Sequence, residues 1–448
     1  MSAAELRASV SLAAIFGLRM LGMFVILPVF AIYAEHIPGG NSLTLVGLAL
    51  GAYGLTQAFL QIPFGWLSDR YGRKPVIYFG LAIFAAGSFV AAAAGNIYIV
   101  ILGRVLQGAG AISAAVMAMA ADVTREEHRT KAMAMIGSTI GLTFALSLVA
   151  SPWLNHVIGV PGIFVMTGVL SLAAMIVVYA IPDSSLLASD AAPSTPPALM
   201  QVMREPELAR LNLGIFVLQA VLMALFVVVP LSLRDAGLAV GDHWQVYLPV
   251  MLGSFVIMLP GILLAEKYGR SKVVFVGSVA VILAGQLAMP WLLNGIMPIA
   301  VFLLIFFSAF NVLEAMLPSL ISKLAPAGAK GVAIGIFSSV QFLGTFVGAA
   351  GGGFLYQHFG ARGVFAFDAV LLAAWLVVAA GMRTPAVTRV YAIPALDNTQ
   401  ASSLLARLKA QPGVREVKLA AGERTARLKV DAARYDERVV LRLIEDIN

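Results

Sequence analysis

The sequence predicts an all-α membrane protein of twelve transmembrane helices in two parallel six-helix halves, with a small α+β domain at the C-terminus. Three observations carry this expectation. The 448-residue chain is 60% hydrophobic and only 12% charged, about half the charged fraction of a soluble globular protein. Apolar stretches recur along the chain, each of roughly the 20 residues that cross a ~30 Å hydrocarbon layer as a helix. A loop sequence also occurs twice: Pro63 to Lys74 (PFGWLSDRYGRK) returns as Pro260 to Ser271 (PGILLAEKYGRS), 197 residues later throughout. Both copies sit between two apolar runs, as expected when one half-bundle is duplicated in parallel.

The spans are expected at about 8–34, 44–68, 75–94, 97–121, 132–154, 162–181, 211–234, 243–265, 273–293, 297–322, 332–356 and 363–381. Residues 1–182 form the first half and 211–382 the second; 183–210, rich in Pro, Ser and Ala, reads as a cytoplasmic linker. The first span holds Arg19 inside its apolar run and precedes eleven others, unlike a cleavable signal peptide. Basic residues collect in alternate loops: Arg70, Arg73 and Lys74; Arg125, Arg129 and Lys131; Arg204 and Arg210; Lys267, Arg270 and Lys272; Lys323 and Lys330. The positive-inside rule makes these loops, and both termini, cytoplasmic, and puts the loop around Gly40 outside. Trp153, Trp244 and Trp291 then anchor outer helix ends and Trp66 an inner one. The net charge of +7 serves topology and lipid headgroups. Single-strand nucleic-acid binders interleave basic and aromatic residues on one surface, a pattern this chain lacks.

The tail, 389–448, alternates like a strand at Arg389–Ile393, then has helical spacing from Asp397 to Ala410. Val414–Leu419 and Thr425–Val430 flank a Gly422-Glu423 turn as a hairpin, and Ala433–Ile447 is helical again. The order β-α-β-β-α fits a ferredoxin-like unit without its last strand. About 60 residues suffice to fold alone.

Several chemistries drop out. The chain contains no cysteine, so disulfides, thiolate metal sites and Cys nucleophiles are absent. His36, His156, His243 and His358 fall near outer helix ends and His128 in an inner loop, none paired at metal-ligand spacing, and they are expected to be solvated. No P-loop, G-x-S-x-G or H-E-x-x-H sequence is present. No metal, cofactor or enzymatic activity is expected.

The repeated loop resembles motif A of the major facilitator superfamily, through Gly65, Leu67, Asp69, Arg70, Gly72, Arg73 and Lys74, with Glu266, Gly269 and Arg270 in the second copy. Arg104-Val-Leu-Gln107-Gly108-Ala-Gly110 resembles the superfamily's motif B. With Arg19-Met-Leu-Gly-Met, Asn311-Val-Leu-Glu314 and the soluble tail, the whole chain is similar to the YajR-type transporters of that superfamily. The resemblance implies an inner-membrane secondary transporter working by alternating access, driven by protons and exporting small organic solutes. It also implies that Asp69 faces the start of the eleventh span near Gly331. Asp122 is expected to bridge to Arg73, making a three-member cluster that holds the cytoplasmic side shut. The fifth span departs from the antiporter motif: Gly137 and Gly141 are present, but the Gly-Pro pair is not. A uniporter or symporter of the same fold, and a non-transporting sensor signalling through its tail, therefore stay open.

Arg19, Arg104 and Glu314 fall on the first, fourth and tenth spans, which line the cavity in this superfamily. Gln107, Gln219 and Asn311 add polar groups there. A charge at that depth is costly unless it is paired or hydrated. Arg19 and Glu314 are thus expected to pair and to carry proton coupling, with Glu314 the one acid deep in the bundle and Asp368 interfacial. The expected partners are protons, a small-molecule solute and the bilayer. The tail is expected to serve self-association or a regulatory ligand.

Overall fold

The computed structural model describes residues 1, 3–179, 181, 200, 202–266, 270–291, 295–325, 330–382, 387–393, 398–419, 425–430, 435 and 437–445. Most of the expected linker, the Gly422-Glu423 turn, Gly269 and the side chain of Glu266 lie outside this description. The chain divides into one compact unit of Met1–Met258 with Ser278–Val378, and another of Leu259–Gly277 with Ala379–Asn448.

Among the described residues, ten helical segments are long and apolar enough to cross a membrane. Most of them follow the sequence closely: α3 (Leu43–Tyr71), α4 (Arg73–Ala92), α8 (Pro206–Asp235), α9 (Trp244–Glu266), α10 (Ser271–Ala288) and α11 (Ile296–Leu324) each match one expected span. The first span is instead two helices, α1 (Ala3–Phe24) and α2 (Leu27–Ala34). Pro28 explains the break, because its ring collides with the carbonyl four residues earlier and it has no N–H to donate. The fourth span divides into α5 (Ile97–Ala109) and α6 (Ser113–Asp122), with Gly110 pressed so close to Gly80 that a Cβ would lie 2.5 Å from the Gly80 carbonyl oxygen.

The expected fifth and sixth spans form one 54-residue segment, α7 (Glu126–Tyr179), and the last two form the 51-residue α12 (Lys330–Ala380). At 1.5 Å per residue each is about 80 Å long, enough for two crossings. Gly159 (φ 66°) and Gly360 (φ 64°) interrupt them with left-handed backbone, a conformation open to glycine at no steric cost. The first arm of α7 meets α1, where a Cβ on Gly17 would touch Thr139 and Thr143. The second arm meets α4, with Ser171 donating to the Leu81 carbonyl at 2.9 Å. Among the described residues, the ten segments, two of them long enough for two crossings, thus follow the order of the expected spans.

Contacts between the halves gather at the end away from Asp69. There α3 and the first arm of α12 touch backbone to backbone: a Cβ on Gly47 would lie 2.2 Å from the Ala349 carbonyl oxygen, and one on Gly353 2.3 Å from that of Leu43. On its other face the same arm seats α8, since a Cβ on Gly348 would come within 2.0 Å of the Ala220 carbonyl oxygen. The glycines near 344–353 thus serve two helix contacts at once. Gln357 Oε1 accepts from Ser42 Oγ at 3.0 Å and from the Thr44 amide at 2.9 Å. Arg234 pairs with Glu35 at 2.6 Å. Midway along, Phe144 of α7 packs edge-on against Phe226 of α8 and beside Phe307 and Phe310 of α11. The expected loop residue Gly40 is buried, and a Cβ on it would lie 1.8 Å from the Ala34 carbonyl oxygen, so the neighbouring exposed Asn41 is the accessible position.

In the second unit, β1 (Val387–Ala392), β2 (Val414–Lys418) and β3 (Thr425–Val430) form an antiparallel sheet in the order β1–β3–β2. Val387 faces Val430, Val417 faces Leu428, and the β2 register shifts between Val414 and Glu416. Leu404 and Leu408 of α13 (Asn398–Lys409) and Val440 and Ile444 of α14 (Glu437–Glu445) share a core with Val417, Leu428 and Val430. Tyr391 Oη donates to Glu437 Oε1 at 2.9 Å and meets Tyr435 Oη at 2.5 Å. Burial, then these two neighbours, push its pKa up, so it stays a neutral donor.

With no native cysteine in the way, a Ser42→Cys, Gln357→Cys pair is expected to form a disulfide in the resting protein under mild oxidation. An Arg70→Cys, Gly331→Cys pair at the other end is expected to stay reduced, which mobility on a non-reducing gel reports.

Candidate functional site

The motif A residues assemble around Arg73, at the junction of α3 and α4. Gly72 (φ 92°) ends α3 and starts α4 within one residue. Arg73 forms an ion pair with Asp69, donates from Nε to Asp122 Oδ2 at 2.9 Å and from Nη1 to Ser68 Oγ at 2.8 Å. Asp122 ends α6, so the expected three-member cluster is present and ties three helices together. Arg70 turns away and stacks on Trp66 and Tyr71, while a Cβ on Gly65 would lie 3.4 Å from Ala114 Cβ. Lys74 is the second residue of α4.

The expected reach into the second half is not found. The Asp69 side chain is 48% exposed, and a Cβ on Gly331 would meet nothing within 4 Å among the described residues. The cluster belongs wholly to the first half, because in this conformation the halves meet at the opposite end. A Cβ on Gly137 or Gly141 of the fifth span would likewise meet nothing within 4 Å among the described residues. In the second copy, the Arg270 amide donates to the Leu264 carbonyl at 3.4 Å, and its side chain is exposed.

Arg19 does not pair with Glu314. Its guanidinium donates to Gln57 Oε1 of α3 and Ser113 Oγ of α6, and lies 5.8 Å from the Tyr53 ring. Gln57 in turn donates to Gln61 at 2.7 Å. Glu314 instead accepts from Gln219 of α8 and Gln341 of α12, each at 3.2 Å. Each charge took neutral partners within its own half. Spacing along one helix reveals depth but cannot tell which glutamine on another helix arrives first.

Arg104 is fully buried; it donates to Gln107 at 2.9 Å, to the Gly22 carbonyl at 3.2 Å and to the Ala49 carbonyl at 3.4 Å, with its head 5.0 Å from the Tyr53 ring. Gln107 passes the chain on to Ser88 of α4 at 2.7 Å. Asn311 donates to Ser254 of α9 at 3.0 Å.

Two expectations about solvent exposure fail. Asp368, read as interfacial, is fully buried, and neither carboxylate oxygen has a hydrogen-bond partner among the described residues. His243 is buried too, its Nε2 3.3 Å from the Leu238 carbonyl oxygen. Both lie within two turns of an expected helix end, where packing against neighbours still removes them from water. Reading the sequence also missed Gln57, Gln341, Glu35 and Arg234; only the two glutamines carried a signal, as amides inside apolar runs. Among the described residues no cluster of His, Cys, Asp and Glu could hold a metal ion.

Comparison with known proteins agrees with this architecture. The Major Facilitator Superfamily profile matches residues 12–349 and 211–414. The inner membrane transport protein YajR of Escherichia coli (strain K12) is 43% identical over 96% of both chains. The multidrug resistance protein MdtH of Aeromonas salmonicida (strain A449) is 25% identical over 77% of this chain and 87% of its own. Among solved structures, a bacterial homologue of the human lysosomal transporter Spinster, in an inward-facing and occupied conformation, superposes with a TM-score of 0.67 over 85% of this chain and 96% of its own, at 14% identity. On these grounds the chain belongs to the major facilitator superfamily, as a membrane transporter similar along nearly its whole length to YajR.

Proposed function

We propose that this transporter exports small organic solutes across the bacterial inner membrane in exchange for protons, by alternating access, with Glu314 as the proton carrier. The observation that carries the reading is the setting of Glu314. It accepts from two amides on α8 and α12, and among the described residues no cation pairs with it. A carboxyl partly withdrawn from water without a counter-charge can hold a proton that bulk solvent would strip. Because the three groups sit on three helices, a change in helix packing alters that setting, which is what coupling needs. Arg19 takes no part in this step, because its partners lie in the other half. The multidrug resistance protein among the relatives favours export.

On the positive-inside rule the Asp69 end is cytoplasmic, so the Gly47–Gly353 seam and the Arg234–Glu35 pair close the outer face. That pair is partly exposed, at 35% and 39% for the two side chains, and such pairs contribute only about 0–1 kcal/mol. A weak latch suits a gate that opens in every cycle. The cluster of Asp69, Arg73 and Asp122 would engage the second half only when the cytoplasmic face closes, with the copy at Glu266, Gly269 and Arg270 its counterpart. Gln107, Gln219 and Asn311 contribute polar lining. The open surroundings of Gly137 and Gly141 favour one alternative, a uniporter or symporter on the same fold. The tail is read as a ferredoxin-like unit without its last strand, acting in regulation or self-association through its open sheet edge.

In proteoliposomes loaded with a pH-sensitive dye, Glu314→Gln is expected to abolish solute-driven proton movement, leaving solute binding measurable and independent of pH. Asp368→Asn is expected to retain the proton signal; loss at Asp368 with retention at Glu314 would move the carrier to the twelfth crossing. For orientation, Asn41→Cys is expected to react with an impermeant maleimide added outside intact spheroplasts, and Ser403→Cys only after lysis.

A further inference from the structure

The polar core of the first half holds more hydrogen-bond donors than acceptors. Arg19 and Arg104 are 2% and 0% exposed, and both guanidiniums approach the ring of Tyr53. Neither forms an ion pair with a carboxylate among the described residues. The amide and serine acceptors around them are in use: Gln57 Oε1 and Ser113 Oγ by Arg19, Gln61 Oε1 by Gln57, and Gln107 Oε1 by Arg104, while the buried Tyr53 hydroxyl has no hydrogen-bond partner among the described residues. Among the described residues, three donor nitrogens buried here have no partner: Arg19 Nε, Arg104 Nη2 and Gln61 Nε2. Two full positive charges at this depth, held only by neutral acceptors and the face of a ring, are costly unless a negative charge joins them.

We infer that the counter-charge is an anionic group of the transported solute, an oxyanion such as a carboxylate or sulfonate, bound between Arg19 and Arg104 beside Tyr53. This rests on the transport reading above and names its substrate class. A guanidinium presents its N–H groups as a planar fork that suits an oxyanion, and unpartnered nitrogens on both arginines and on Gln61 supply the donors. Cation–π contact with Tyr53 offsets part of the cost while the solute is absent. The site is also placed to sense the two halves. The Tyr53 ring lies 6.3 Å from Phe342 of α12, and a Cβ on the adjacent Gly54 would sit 2.7 Å from the Phe342 carbonyl oxygen. An anion drawing the two arginines together would press on that contact.

The test uses three size-matched probes on the purified full-length protein: benzenesulfonate, neutral benzenesulfonamide and the cation trimethylphenylammonium. Thermal unfolding is followed as each is titrated. Benzenesulfonate is expected to raise Tm in a saturable way and the other two to leave it unchanged. Arg19→Gln and Arg104→Gln are each expected to weaken the benzenesulfonate response about tenfold or more, the size of a lost charge-assisted hydrogen bond. No saturable response to benzenesulfonate, an equal response to either partner probe, or a response that survives both substitutions would overturn the inference. The comparison of probes needs no variant, so a misfolded arginine variant does not blunt it. Binding needs no gradient, so failure here leaves proton coupling standing, and failure of coupling leaves the charge preference readable.

Discussion

The close approach of α3 to the first arm of α12 is the constraint on which the rest of the structure depends. At Gly47 and Gly353 there is no room for a single Cβ on either side. Inside a bilayer, helices gain nothing from burying apolar surface against each other rather than against lipid. Association instead depends on packing, and small residues allow the close contact that packing needs. This seam joins the halves at one end, and the Arg234–Glu35 pair and the Gln357 hydrogen bonds lie beside it. At the other end, Asp69 is half-exposed and pairs only within its own half, and a Cβ on Gly331 would meet nothing within 4 Å among the described residues. Two bodies held at one end by contacts that are individually small can exchange that seam for another.

The charges inside the apolar spans follow the same division. Arg19, Arg104 and Tyr53 lie in the first half with Gln57, Ser113 and Gln107; Glu314 lies in the second with Gln219 and Gln341. A direct ion pair across the halves would have fixed them together by several kcal/mol, since breaking a buried pair leaves an uncompensated charge. Neutral partners hold each charge locally and leave the halves free of that tie. The proposed roles follow: a proton on the second half and an anionic solute on the first are each bound by groups that need not let go of one another.

The sequence made the crossings legible because hydrocarbon thickness imposes a length and apolarity that nothing else in the chain mimics. The duplicated loop and its charges were legible as well, and Asp122 meets Arg73 as the motif implies. Breaks inside spans followed local chemistry, at Pro28 and at Gly110. What the sequence hid were relations between helices. Arg19 and Glu314 share a depth, yet depth does not choose a partner. Asp368 and His243 teach the same lesson about solvent: position near a helix end suggested water, and packing from neighbouring helices removed it. Gly331 is not the neighbour of Asp69 in this structure, because the contacts between the halves gather at the other end; on the proposed alternating-access reading the two would meet when the cytoplasmic face closes.

Alternating access, as proposed, requires the halves to exchange one seam for the other. Distances between paired spin labels measure this directly in a chain without native cysteine, with one pair at Asn41 and His358 and the other at Arg70 and Gly331. In the resting protein the first pair should be close and the second far apart. Across a range of pH, with and without solute, the account requires a second population in which the first distance grows as the second shrinks. Distances that stay fixed, or that lengthen and shorten together, would contradict it.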